Sequence, residues 1–208
     1  MYPQMSISAF LARLASSDPE PGGGAAAALV AATGAALVGM VASLTIGKEK
    51  YAAVQAEMEQ VRQRSQALVT DLAASIDRDA ASFRKVMDAY RLPRGTDEEK
   101  AGRKQAIARA LRDATVEPAR VVRLCDEIAT LSRVVMEQGN IQAVTDAAIA
   151  AVLADAAAQS AALNVKINLG PIGDPAFTDP LWADLRGTMD RIRAVRDEVL
   201  AKTYEKLG

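Results

Sequence analysis

The feature that most constrains this chain is a run of 22 uncharged residues, 25–46, which follows directly on a Pro-Gly-Gly-Gly turn. The run reads AAAALVAATGAALVGMVASLTI, and its main components, alanine and leucine, are strong helix formers. A helix that is apolar on every side is stable in water only when other helices surround it. The run therefore predicts a helix buried at the centre of a bundle, beginning immediately after the glycines.

A membrane-spanning helix is the alternative, because a run of this length would extend about 33 Å. The run is mostly alanine, however, and contains two glycines and two threonines, which makes it weakly apolar for a span. No aromatic belt flanks it, and we expect no second span further along. The first residues also lack a basic segment followed by an apolar one, so we expect no signal peptide and no membrane as a partner.

The composition favours an all-helical cytoplasmic protein and excludes several kinds of chemistry. Only 4% of the residues are aromatic, and alternating β-branched runs are nearly absent. Basic and acidic residues number 25 and 26, so nothing indicates nucleic acid as a partner. The absence of histidine excludes histidine-ligated metals and Ser-His or Cys-His catalysis, and we expect no metal. A single cysteine, Cys125, fits a reducing cytoplasm and is interpreted as a core residue.

Periodicity and turn signals divide the chain into helices and loops. Ser6 suits the cap of a first helix, and Pro93 with Gly95 ends the third. Pro118 suits the first turn of a separate helix. Residues 169–180, rich in Gly, Pro and Asp, read as a loop. The predicted helices cover residues 6–16, 25–46, 52–91, 97–117, 118–138, 142–168 and 180–206.

Two of these helices, 25–46 and 142–168, are nearly free of charge, while the others are amphipathic. This pattern predicts a single domain over residues 1–208, an all-α bundle in which two central Ala/Gly-rich helices are wrapped by amphipathic ones. Alanine-rich faces also let helices of two subunits approach closely, so we expect a homodimer.

The glycine turn is the first candidate binding element. Consecutive glycines let a ligand touch the backbone, and the helix that follows offers unpaired N–H groups and the positive end of its dipole. A flexible linker to the helix is the alternative, and the motif is not a P-loop because no Gly-Lys-Ser/Thr follows. The residues of the turn are Pro21, Gly22, Gly23 and Gly24.

A second candidate lies at the other end of the same helix, in Gly-Lys-Glu-Lys-Tyr at residues 47–51. An apolar neighbourhood lowers the pKa of a lysine, which would suit Lys48 to acid–base work. Simple capping of the helix carboxyl end is the alternative.

Polar residues within apolar stretches form the third set. Asp146 and Asp155 lie on opposite sides of one predicted helix, whereas Asn164 and Asn168 face the same way. Buried carboxylates and amides are destabilising unless they are paired or used, and structural pairing is the commoner explanation. Asp79 and Phe83, four residues apart, share one face of a predicted helix, but this spacing alone does not indicate a functional site.

Taken in order, several segments resemble one family. They are the long segment from PGGG to GKEKY, DAASF at 79–83, LPRGTDEEKAGRKQAI from residue 92, GN at 139–140 with TDA at 145–147, and ALNVKINL at 162–169. The chain resembles the formiminotetrahydrofolate cyclodeaminase / methenyltetrahydrofolate cyclohydrolase family over about residues 6–180. Members often have serine at Thr145, and Val-Pro-Leu where this chain has Val116, Glu117, Pro118 and Ala119, which puts an extra charge near that helix start.

The resemblance implies an all-α homodimer that acts on a one-carbon tetrahydrofolate without a permanently bound cofactor. Two reactions occur in the family: hydrolysis of 5,10-methenyltetrahydrofolate to 10-formyltetrahydrofolate, and closure of 5-formiminotetrahydrofolate with release of ammonia. The chain is more similar to the stand-alone cyclohydrolases, with the cyclodeaminase as the alternative. A non-enzymatic helical folate-binding or scaffold protein is a more distant alternative.

Carried onto this sequence, the family reading assigns proton chemistry to Asp146, Asp79 and Lys48. Because a helix amino terminus repels a cation, the glycine turn should hold a carbonyl or glutamate carboxylate of the folate rather than the cationic carbon. Arg103 and Lys104 are candidates for holding a polyglutamate tail, or else belong to a solvated helix face. The predicted substrate-binding residues are Pro21, Gly22, Gly23, Gly24, Tyr51, Asn140, Asn164 and Asn168.

Overall fold

Over residues 2–208, which a computed structural model describes, the chain forms six α-helices and no strand. This confirms the all-α expectation. The helices are α1 (Ile7–Leu14), α2 (Gly23–Thr45), α3 (Gln55–Tyr90), α4 (Asp97–Gln138), α5 (Val144–Ile172) and α6 (Pro175–Leu207), and short 3-10 turns cover Tyr2–Gln4, Glu49–Val54 and Ile141–Ala143.

The uncharged run forms the central helix α2, as its composition predicts. α2 packs against α3 and α5 and also contacts α4. Gly34 permits a close approach to α5, because a Cβ there would lie 3.3 Å from the backbone oxygen of Ala150. The helix begins at Gly23, two residues earlier than expected, and the chain leaves it through Gly47, whose φ of 79° favours glycine. α5, the second Ala-rich helix, packs against α2, α4 and α6.

The expected break at Pro118 is wrong, because α4 runs without interruption from Asp97 to Gln138. A proline has no N–H to donate to the carbonyl four residues earlier, which here belongs to Ala114. The side-chain nitrogen of Asn168, on α5, donates to that oxygen across 3.5 Å. A contact from a distant part of the chain thus supplies a donor that local sequence lacks.

The expected loop at residues 169–180 is also wrong in most of its length. α5 continues to Ile172, and α6 already begins at Pro175. Two residues are enough for the junction because Gly173 adopts a left-handed φ of 67° and Asp174 caps α6 by accepting from the N–H of Ala176. The Gly, Pro and Asp residues here mark helix ends rather than a long loop.

Two segments, Gly23–Thr45 and Ile141–Ile172, are long and apolar enough to cross a membrane by length and composition, so the expectation of a single such segment is wrong. In each, 56% of the most apolar window is buried within the bundle. α2 and α5 both pack against α4 and against each other, so their outer sides face away from α4 together. We call this surface the α2/α5 face; its exposed apolar side chains are Met40, Leu44, Ile149, Val152, Leu163 and Ile167.

Candidate active site

A cavity of about 440 Å³ lies at the amino-terminal end of α2, where α3, α4 and α5 meet it. Gly22, Gly23 and Gly24 of the turn and Asp79 line its polar side, together with Asn164 and Asn168 of α5. Pro21, which was also predicted to bind substrate, is buried and does not line the cavity. The fold thus brings together, in one place, the three glycines, one of the predicted carboxylates and two of the three predicted asparagines, although they are far apart in sequence.

Asp79 lies directly against the first turn of α2. Its carboxylate accepts a hydrogen bond from the backbone N–H of Ala25. A Cβ at Gly24 would overlap this carboxylate, so glycine is required there by close approach. Gly23 is one residue nearer the cavity, and the position of a Cβ on it is 3.7 Å from the side-chain amide of Asn164. The glycines therefore make room for side chains from α3 and α5.

The environment of Asp79 makes its carboxylate an effective base near neutral pH. Burial, helped by the negative charge of Glu117, raises the pKa of Asp79 to about 6, against the opposing hydrogen bond from Ala25. A carboxylate with this pKa is largely ionised at pH 7 but accepts a proton more readily than an exposed one. The site thus holds a group whose protonation changes within the range where enzymes work.

The carboxylate of Asp79 determines the charge at the glycine turn. The sequence predicts that the positive end of α2 repels a cation and holds an anionic part of the ligand. In the structure, the carboxylate of Asp79 already occupies this helix end and supplies the negative charge that the dipole favours. The turn and the carboxylate form one polar surface, which suits a cationic group beside Asp79.

The two asparagines are half-buried and lie one turn apart on α5. Asn164 donates from its side-chain nitrogen to the backbone oxygen of Ser160 across 2.9 Å. Asn168 donates to Ala114, as described above. Each amide is therefore tied to a backbone carbonyl through its nitrogen.

The opposite wall of the cavity is apolar and comes mainly from α3. Phe83, Val86, Met87 and Tyr90 line it, with Leu111 from α4 and Ile167 from α5. The α3 residues follow Asp79 at spacings of 4, 7, 8 and 11, which place them on the face of the same helix. Of these residues only Phe83 is identified from the sequence above; the helical periodicity counted from Asp79 is the signal that predicts the others.

A groove of about 410 Å³ continues from the cavity and shares Tyr90 and Pro171 with it. The guanidinium of Arg103 lies 5.6 Å from the centre of the Tyr90 ring and donates to the Tyr90 backbone oxygen. No acidic residue is among the described residues that line this basic groove. Its basic members are Arg94, Lys100, Arg103 and Lys104.

The other predicted site residues lie at the far end of α2. Lys48 is exposed, directly after that end. Tyr51 accepts from the backbone N–H of Ile141 across 3.1 Å, and buried Asn140 binds Thr45 and Leu44. Asp146 is half-buried in the first turn of α5. α2 has 23 residues, a length of about 34 Å, so one copy of the chain does not bring Lys48 and Asp146 to Asp79.

Asp155 and Cys125 have structural surroundings, as the sequence analysis anticipates. Asp155 is buried on the inner side of α5, where it pairs with Arg196 and accepts from Gln159. Cys125 is fully buried, and burial raises the pKa of its thiol. Neither side chain lines the cavity.

The chain is similar in sequence and in fold to several known proteins. A family model described as formiminotransferase-cyclodeaminase matches residues 6–186. The chain is 43% identical over 203 residues to the methenyltetrahydrofolate cyclohydrolase of Methylorubrum extorquens, covering 98% of both chains. It is 30% identical to the formimidoyltransferase-cyclodeaminase of Rattus norvegicus, of which it spans 36%. The crystal structure of formiminotetrahydrofolate cyclodeaminase from Thermotoga maritima superposes with a TM-score of 0.90 at 28% identity, covering 100% of both chains.

Proposed function

The chain belongs to the formiminotransferase-cyclodeaminase family, and on that basis we propose that it is a methenyltetrahydrofolate cyclohydrolase of one-carbon metabolism. The cyclohydrolase among its relatives matches it from end to end at 43% identity, whereas the rat cyclodeaminase relative is a much longer protein. The observation that carries the proposal within the structure is the carboxylate of Asp79, raised in basicity and set in a cavity with one polar and one apolar wall.

The cavity suits the substrate in both polarity and charge. We place the cationic amidinium carbon of 5,10-methenyltetrahydrofolate beside Asp79, because a carboxylate stabilises a neighbouring cation. The flat pterin would then pack on the wall that includes Phe83 and Met87, with its polar edge toward Asn164 and Asn168.

The reaction needs one group that takes up a proton and returns it. A water molecule attacks the methenyl carbon, and the carboxylate of Asp79 accepts one of its protons, which gives a neutral tetrahedral adduct. The bond from this carbon to N5 then breaks as Asp79 returns the proton to N5. The remaining hydroxyl proton leaves to solvent, so that the carbon becomes the N10-formyl group. No bound cofactor enters this sequence of steps.

The alternative reaction, formiminotetrahydrofolate cyclodeaminase activity, is favoured by the close structural match to a protein of that name. An assay with both substrates in parallel decides between them. We expect the absorbance of methenyltetrahydrofolate to fall at a rate well above the buffer rate, and little ammonia from the formimino compound. Ammonia release with no methenyl hydrolysis would reverse the assignment, and inactivity on both would favour a folate-binding or scaffold protein.

We further propose that the basic groove holds the glutamate end of the substrate, including any polyglutamate tail. The groove leads away from the cavity at Tyr90, on the side where a folate placed with its pterin near Asn164 would extend. Its lysines and arginines match the γ-linked carboxylates of such a tail in charge.

Replacing Arg94 and Lys104 together with glutamine is expected to raise KM for a polyglutamylated substrate about fivefold to tenfold, as two exposed charge contacts are lost. The KM for the monoglutamate should change less, and kcat should stay the same. Arg109→Gln is the matched control, since Arg109 is an exposed arginine on α4 that does not line the groove. Equal changes in KM for both substrates would argue against a tail site.

A homodimer formed through the α2/α5 face would explain both its exposed apolar side chains and the division of the predicted site residues. The cavity that contains Asp79 lies near one end of this face, and Lys48 and Asp146 lie near the other end. A two-fold axis across the middle of the face places unlike ends of the two copies together. We propose that each active site combines Asp79 of one copy with Lys48 and Asp146 of the other, in a dimer that works in the cytoplasm.

Val152→Glu tests this arrangement, because it puts a charge in the middle of the α2/α5 face. We expect light scattering to show a monomer and turnover to fall with dimer content. Tyr204→Glu is the control, since Tyr204 is 69% exposed on α6, away from the face. Mixing Asp79→Asn with Lys48→Met chains should restore about a quarter of normal activity through mixed dimers. A fully active Val152→Glu monomer would refute the shared site.

A further inference from the structure

Glu117 is a buried carboxylate that the proposed reaction does not use. It is 8% exposed on α4 and precedes Pro118, which lines the cavity. A buried charge is strongly destabilising unless other charges pair with it.

Two arginines pair with the carboxylate of Glu117. Its Oε1 lies 2.9 Å from Nη2 of Arg78 and 3.4 Å from Nη1 of Arg120. Both arginines also pair with Asp71, and Arg78 donates to the hydroxyl of Ser75. The four charged groups form a neutral cluster between α3 and α4.

Arg78 of this cluster directly precedes Asp79 in α3, so the cluster lies next to Asp79. Of the charges in the cluster, that of Glu117 acts on Asp79 and adds to the effect of burial. From α2, the N–H of Ala25 and the positive helix end oppose it, and the described α5 residues that line the cavity are all uncharged. Glu20 also lines the cavity, but its carboxylate is paired with Arg84 at 2.6 Å.

We propose that Glu117 is a positioning residue for the proton chemistry of Asp79, whose strength as a base it increases through its fixed negative charge. Glu117 exchanges no proton itself: the proton from the attacking water goes to Asp79 and from there to N5. Arg78 and Arg120 hold the carboxylate of Glu117 in place through their ion pairs with it. The inference rests on the proposed function for its consequence in turnover, but its electrostatic part concerns the ligand-free protein.

The direct test is the titration of Asp79 followed by carboxyl ¹³C NMR in aspartate-labelled protein without substrate, with Asp79→Asn used to assign the signal. In Glu117→Gln, we expect the midpoint to move from about 6 toward lower pH by a few tenths of a unit to about one unit. Asp71→Asn is the matched control, since it neutralises the other acid of the same cluster and should leave the midpoint in place. An unmoved midpoint in Glu117→Gln, or an equal shift in both variants, would overturn the proposal.

The kinetic counterpart is the acid limb of the pH profile of kcat/KM, which should move in the same direction and by the same amount. Glu117→Asp keeps the charge and should return the limb toward its normal position, whereas loss of packing alone would lower activity without moving it. If Glu117→Gln does not fold by circular dichroism, Glu117→Val removes the same charge with an apolar side chain. A wild-type protein without cyclohydrolase activity would refute the proposed function and leave the NMR titration to decide the role of Glu117.

Discussion

Asp79→Asn is expected to reduce kcat/KM for methenyltetrahydrofolate by about 10²–10⁴-fold, the usual effect of removing a general acid–base group. The amide keeps the shape of the side chain and an oxygen that can accept from Ala25, but it takes up no proton. Steady-state hydrolysis of the methenyl compound measures the loss. Asp88→Asn is the control, because Asp88 is an exposed aspartate on the same helix, paired with Arg91.

The same substitution is expected to stabilise the fold at neutral pH. The pKa of Asp79 is raised from 3.8 to about 6 in the folded protein, so folding favours the protonated form. Well below pH 3.8 both states are protonated and the carboxyl group carries no penalty. As the pH rises through the interval between these pKa values, the folded protein becomes less stable, by about 1–3 kcal/mol above pH 6.

Denaturant unfolding of both proteins at several pH values measures this difference. Asp79→Asn should be more stable than the wild type above pH 6, and the difference should disappear near about pH 3. A variant that lost both activity and stability would identify Asp79 as a structural carboxylate. A loss of activity together with a gain in stability is expected of a group whose buried environment destabilises the fold but serves the reaction.

Gly24→Ala is the second substitution with a large expected effect. Alanine in place of glycine usually stabilises a helix by about 1 kcal/mol. At Gly24 the added Cβ would overlap the carboxylate of Asp79, so the side chain or the helix end has to move. We expect the free energy of unfolding to fall by about 1–3 kcal/mol, as is typical of overpacking, and kcat/KM to fall by about 10²-fold as the base is misplaced.

Gly102→Ala provides the comparison on α4. Gly102 is an exposed helical glycine, and a Cβ there meets no atom within 4 Å. This variant should be more stable than the wild type by about 0.5–1 kcal/mol with unchanged turnover. If Gly24→Ala behaved in the same way, the close packing of α2 on Asp79 would not matter to the reaction.

The sequence predicted the helices whose composition is extreme and failed where distant residues decide the outcome. α2 and α5 are found from their uncharged, Ala-rich stretches alone. The continuous α4 could not be predicted, because the donor to the Ala114 carbonyl comes from Asn168, 54 residues away. The short junction at Gly173 was missed because Gly, Pro and Asp mark helix ends and long loops alike.

The sequence predicts which residues belong to a site better than it predicts which of them lie together. Asp79, the glycines and both asparagines meet in one cavity, but no local pattern says which end of a helix lies beside which. From the sequence alone, Lys48 and Asp146 are therefore candidates equal to Asp79. Within one copy of the chain, however, they lie at the other end of α2. Met87 and Tyr90 follow from the helical period counted from Asp79, whereas the pairing of Glu117 with Arg78 depends on how α3 and α4 are aligned.

The anchoring of the two asparagines has a consequence for what the cavity can recognise. Each amide is held through one nitrogen hydrogen by a backbone carbonyl, of Ser160 for Asn164 and of Ala114 for Asn168. The direction of each side-chain oxygen is thereby set before a ligand arrives, and little rotamer entropy remains to be lost on binding. The pair presents two side-chain oxygens about one helical turn apart, roughly 6 Å, and each amide keeps a second N–H, so the two asparagines suit a ligand edge that carries both donors and acceptors.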